Sequence, residues 1–128
     1  MYKLLLVSII ILSMYTGSLG QWKILNQGIE NGYLSAIDFV NNEVGWIIGG
    51  RPLFKTENGG DDWFPLPNFG SIRFRVVDFI SDSVGWAIGT GVYSPSNNGI
   101  FKTKDGGLTW SVSKSAGNLT TLYAVDDS

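Results

Sequence analysis

The chain has 128 residues, with nine Lys and Arg, eleven Asp and Glu, and neither His nor Cys. One small domain is the most this length supports, and the missing imidazoles and thiols exclude a Cys/His zinc site, a haem held by either residue, a cysteine-ligated iron–sulfur cluster, histidine triads, thiol nucleophiles and disulfides. A formal charge of −2 with both signs interspersed offers no basic stripe for phosphates, so no nucleic-acid partner is expected.

In chain order, the first element is a targeting segment. Lys3 is the only early charge, and Leu4 to Met14 is an apolar run that leads to the small residues Ser18 and Gly20. This is the pattern of a signal peptide over 1–20, cleaved before Gln21. A membrane span needs about 20 apolar residues and this run has roughly half of that. The expected mature chain, 21–128, has 108 residues and a net charge of −3, and its expected destination is outside the cytoplasm, periplasmic or extracellular. No stable membrane span is expected once the segment is removed.

The rest of the chain repeats itself. Leu34-Ser35-Ala36-Ile37-Asp38-Phe39 and Gly45-Trp46-Ile47-Ile48-Gly49 return forty residues later as Phe74-Arg75-Val76-Val77-Asp78-Phe79 and Gly85-Trp86-Ala87-Ile88-Gly89. The second half of the unit, Leu53 to Trp63, returns as Ile100 to Trp110 after an insertion rich in Ser, Pro, Asn and Gly. Leu122-Tyr123-Ala124-Val125-Asp126 restarts the unit near 121, and Trp22-Lys23-Ile24-Leu25 matches the material at Trp63 and Trp110. The units run over about 34–66 and 74–113. Each reads as four short strands separated by Gly, Asn, Pro and Asp, with no helical period. Four strands in 40 to 47 residues is the period of a propeller blade. The expected fold is all-β: β-propeller blades of four antiparallel strands, two blades plus parts of two others, an incomplete propeller.

A turn motif stands between the third and fourth strands of each unit. Thr103, Asp105, Gly107, Thr109 and Trp110 make a full Ser/Thr-x-Asp-x-Gly-x-Thr-Trp motif, whereas Thr56, Asn58, Gly60 and Trp63 carry Asn for Asp and are preceded at Trp63 by Asp62 in place of Thr. The carboxylate or amide is expected to accept backbone N–H bonds about two residues on, Gly to take a positive φ, and Trp to pack into the blade. With the apolar-Asp-Phe and Gly-Trp-x-Ile-Gly segments, the unit resembles the blades of the photosystem II stability/assembly factor family, within the wider Asp-box (bacterial neuraminidase repeat) group. The resemblance implies an exported, non-enzymatic scaffold that binds a protein partner, in the thylakoid lumen if the owner is photosynthetic. A fragment of a secreted carbohydrate-active hydrolase of sialidase or glucanase type is the alternative.

No catalytic, cofactor or metal residue is expected. Asp38 and Asp78 invite a reading as the paired carboxylates of a glycosidase, but they repeat with the unit, and a repeating residue serves the unit's own bonding. Asp61-Asp62 and Asp126-Asp127 lack the alternating oxygen ligands of a calcium loop. Trp46, Trp63, Trp86 and Trp110 recur at blade positions and read as packing. The candidates for partner binding are the residues that do not repeat: Arg51, Arg73 and Arg75, suited to a carboxylate or acidic surface, and Tyr93 in the insertion. Asn118-Leu119-Thr120 is a glycosylation sequon. A protein partner is expected, and an oligomer if the chain is complete.

Overall fold

A computed structural model describes residues 29, 33–49, 51–91, 93, 98–117 and 119–126. The expected signal peptide, the Trp22 strand and Asn118 of the sequon lie outside these residues. Among these residues eight strands form two antiparallel meanders. The first is β1 (Leu34–Phe39), β2 (Gly45–Gly49), β3 (Leu53–Thr56) and β4 (Phe64–Pro65); the second is β5 (Ile72–Phe79), β6 (Gly85–Gly91), β7 (Gly99–Thr103) and β8 (Ser111–Ser115). Among the described residues there is no helix. The described residues therefore form two blades of a partial β-propeller. Residues 121–126, where the repeat restarts, are described but belong to no strand.

The two sheets share their register: Phe39 faces Gly45 as Phe79 faces Gly85, and Trp46 faces Lys55 as Trp86 faces Lys102. The glycines have a steric cause. A Cβ on Gly45 would stand 2.6 Å from the Phe39 ring, and one on Gly85 would strike Phe79, so the aromatic side chain lies flat over bare backbone. Both first strands also carry a bulge, at Ser35 in β1 and Arg75 in β5, where one residue is left without a cross-strand partner. The extra residue returns Phe74 to the face that Val77 and Phe79 already occupy.

That face makes the core. Strict alternation sends Trp46, Ile48 and Leu53 to one side of the first sheet and Ile47 and Phe54 to the other. The first set packs between the blades against Phe74, Val77, Phe79, Ala87 and Phe101 of the second sheet, with Trp110, Leu66 and Phe69 around them. Trp46 and Phe79 stack with ring centroids 3.5 Å apart, and Trp46 Nε1 donates to the Gly106 carbonyl at 2.9 Å. Asp38 completes the joint, one of its oxygens accepting the Phe79 amide at 2.6 Å. The second set, Ile47 and Phe54 with Trp63 and Ile29, forms a smaller cluster on the opposite flank.

A candidate binding cleft at the blade junction

At one end of the sheets the first strands begin and the β2–β3 connection turns. There the residues Tyr33, Ser35, Arg51, Arg73, Phe74, Arg75, Val76, Leu119 and Thr120 line a cleft of about 660 Å³. Local geometry explains the assembly. On β5 the exposure pattern alternates across the bulge, so Phe74 is buried between the blades while Arg73 and Arg75 on either side of it are exposed. A turn holding Gly70 at φ 59°, with the Ile72 amide bonded to the Phe69 carbonyl at 3.1 Å, delivers the strand to this end. Arg51 arrives from the β2–β3 connection, one residue before Pro52. Among the described residues the lining contains three arginines and no Asp or Glu. Such a cleft favours an anionic ligand, since each planar guanidinium can meet a carboxylate with two parallel hydrogen bonds.

The structure thus brings together Arg51, Arg73 and Arg75 and leaves Tyr93 apart. Tyr93 is exposed and does not line the cleft. The physical reason is topological: the insertion that carries it joins β6 to β7, the second blade's equivalent of the connection that carries Arg51, so it stands one blade further along the same end. Asn98 fastens the base of this insertion, its side-chain oxygen accepting the Gly91 amide at 3.0 Å. Tyr33 and Ser35, which stand forty residues before Arg73 and Arg75, join the site although nothing in the sequence analysis singled them out. Their alignment to those arginines was the available signal, because equivalent positions on adjacent blades lie side by side. Leu119 and Thr120 had no signal beyond their place in the sequon.

The turn residues sit between the third and fourth strands, and the division of labour differs from the simple expectation. In the second blade the Thr103 hydroxyl oxygen accepts the amides of Asp105 and Gly107, at 3.3 and 2.9 Å, and donates to Asp105 Oδ1. Asp105 reaches four residues on rather than two, accepting the Thr109 amide at 2.8 Å and the Thr109 hydroxyl. The Thr109 hydroxyl bond is the main reason the Asp105 carboxyl sits below its ordinary pKa. In the first blade Thr56 does the same for Asn58 and Gly60, and Asn58 Oδ1 accepts the Asp62 amide. Gly60 and Gly107 have φ of 92° and 94°. Trp110 Nε1 donates to the Gly107 carbonyl at 3.1 Å, whereas the buried Trp63 Nε1 has no partner among the described residues.

Asp38 and Asp78 are both engaged by backbone. Asp78 accepts the Ala124 amide, as Asp38 accepts that of Phe79. Burial pushes the Asp38 carboxyl above its ordinary pKa; the Phe79 amide opposes that shift and the charge of Asp78 adds to it. These bonds run to the following unit, not within the unit itself. Among the described residues no group of three or more His, Cys, Asp or Glu side chains is placed to hold a metal ion. No helix among them is long and apolar enough to cross a membrane.

No family model matches the chain, and no curated protein matches it. Among solved structures it is similar to one described as "YCF48 bound to D1 peptide", with 26% sequence identity and a TM-score of 0.55 over 73% of this chain. The match covers 29% of the YCF48 chain, so the present chain spans less than a third of that protein's length.

Proposed function

We propose that the chain belongs to a non-enzymatic, exported scaffold whose Arg51–Arg73–Arg75 cleft holds an acidic segment of a partner protein. One observation carries the reading: three arginines from two blades line one cleft to which the described residues contribute no Asp or Glu. It is supported by the similarity to YCF48, a protein whose solved structure has a bound D1 peptide. Kinship with photosystem II stability/assembly factors, suggested by the Asp-box-like turns and the Gly-Trp-x-Ile-Gly segments, is the finer form of the proposal. The engagement of Asp38 and Asp78 by backbone amides favours a scaffold over a carbohydrate-active hydrolase.

The test is binding of a fluorescent peptide rich in Asp and Glu, measured by anisotropy beside its Asn and Gln counterpart. The acidic peptide should bind and the neutral one should not, with affinity falling as salt rises. Each of Arg51→Ala, Arg73→Ala and Arg75→Ala should remove about 1.5 kcal/mol, roughly tenfold in Kd, for a lost charge-assisted bond. Tyr93→Ala should leave Kd unchanged. Equal binding of the two peptides, or arginine variants that bind like the parent, would refute the assignment.

A further inference from the structure

Three asparagines stand directly before a glycine: Asn31, which lies outside the described residues, Asn58 and Asn98. In this arrangement a side-chain amide is readily lost, because glycine has no Cβ to hinder its own backbone nitrogen. Asn58 is exposed in the turn between β3 and β4, and the turn commits every group that such a loss requires. The attacking nitrogen is that of Gly59, and its N–H donates to the Glu43 carbonyl of the β1–β2 connection at 2.8 Å. The carboxamide under attack is held as well. Asn58 Oδ1 accepts the Thr56 hydroxyl at 3.0 Å and the Asp62 amide at 2.9 Å, while Nδ2 donates to Asp62 Oδ2 at 2.9 Å. The second blade has Asp105 at the same place and so no amide to lose.

We propose that Asn58 is a deamidation site gated by this turn, inert while the turn is closed and converted irreversibly once it opens. In the open turn the Gly59 nitrogen gives up its proton to solvent and attacks Asn58 Cγ. A C–N bond forms, the Cγ–Nδ2 bond breaks, and the side-chain nitrogen leaves as ammonia. Water then opens the cyclic imide at one of its two carbonyls, giving either an aspartate or an isoaspartate whose main chain runs through the former side chain. Neither product rebuilds the turn. The aspartate has no donor for Asp62 and sets two carboxylates side by side. The isoaspartate adds a carbon to the main chain next to Gly59, where a Cβ alone would stand 2.9 Å from the Asn42 carbonyl oxygen. The bonds from Thr56, Asp62 and Glu43 therefore set how often the site is reached, through the local opening equilibrium of one turn.

Mass spectrometry tests this on the full chain, aged at mildly alkaline pH either folded or in urea and then digested with trypsin. In urea the peptide from Thr56 to Arg73 should gain the mass of an amide converted to an acid, with fragmentation placing the change at Asn58. In the folded chain the conversion should be slower by roughly tenfold or more. Thr56→Val and Asp62→Ala, each of which frees the carboxamide, should convert several-fold faster than the folded parent. Near-UV circular dichroism verifies that both variants fold, and Asp62→Ala carries the comparison if Thr56→Val, at a fully buried position, does not. After refolding and a brief protease pulse in intermediate urea, the surviving chains should be depleted of the converted peptide. An Asn58 that stays intact in urea, conversion as fast in the folded chain as in urea, folded variants that age at the parent's rate, or survivors as rich in converted peptide as the starting sample would each overturn the proposal.

Discussion

At the scale of single residues, the two turns show how the repeat tolerates substitution. Asp105 accepts from the Thr109 hydroxyl, whereas Asn58 Nδ2 donates to Asp62 Oδ2 at 2.9 Å. Donor and acceptor have exchanged ends, so the two departures of the first turn from the motif compensate each other. Asn58→Asp should therefore destabilise the protein by placing two carboxylates together, and the double change Asn58→Asp with Asp62→Thr should restore the midpoint of urea unfolding. Asp38 offers a second test. Its carboxyl is raised by burial, so the stability linked to its proton is fully present below the unfolded value and is lost as pH rises through the folded one. Asp38→Asn keeps an oxygen for the Phe79 amide and should raise Tm at pH 7 while changing little at pH 3. Asp38→Ala, which leaves that amide without its partner, should cost about 1–2 kcal/mol by chemical denaturation.

At the scale of elements, the strands were legible because each carries its own evidence: β-branched and aromatic runs of four to eight residues, punctuated by turn residues and repeated in register. The fourth strands were less so, since β4 spans only Phe64–Pro65 and Pro65 cannot continue a ladder of donors. The role of the threonine in the turn was not legible either. Thr103 is 1% exposed and satisfies two amides, a task that composition assigns more readily to the neighbouring aspartate. Thr103→Val preserves shape but removes the acceptor, and should cost about 2 kcal/mol by urea unfolding, with Thr103→Ser close to the parent. Gly45→Ala tests the aromatic cover. The new methyl enters the Phe39 ring, and overpacking of this kind costs roughly 1–3 kcal/mol.

At the scale of the whole molecule, the cleft depends on contacts that no local pattern reveals. Arg51 and Arg73 are separated by 22 positions in the sequence, yet they meet because the connections at one end of adjacent blades converge. The arginines stood out in the sequence through their failure to repeat, and Tyr93 stood out for the same reason, but asymmetry alone does not say which junction a residue belongs to. The proposed export is tested at this scale as well. If the first twenty residues are a signal, protein recovered from the exported fraction should begin at Gln21 by N-terminal sequencing, and a mature chain retaining Met1 would disprove cleavage.

The bulge on the first strand of each blade separates two vocabularies. Phe74, Val77 and Phe79 are committed to holding neighbouring sheets together, while the supernumerary position, Ser35 in one unit and Arg75 in the other, owes nothing to the ladder. If the cleft binds as proposed, ligand preference can be rewritten at that slot, blade by blade, without renegotiating the architecture. A lineage, or a designer, could retune what the cleft grips by exchanging serine and arginine there while every buried aromatic stays in place.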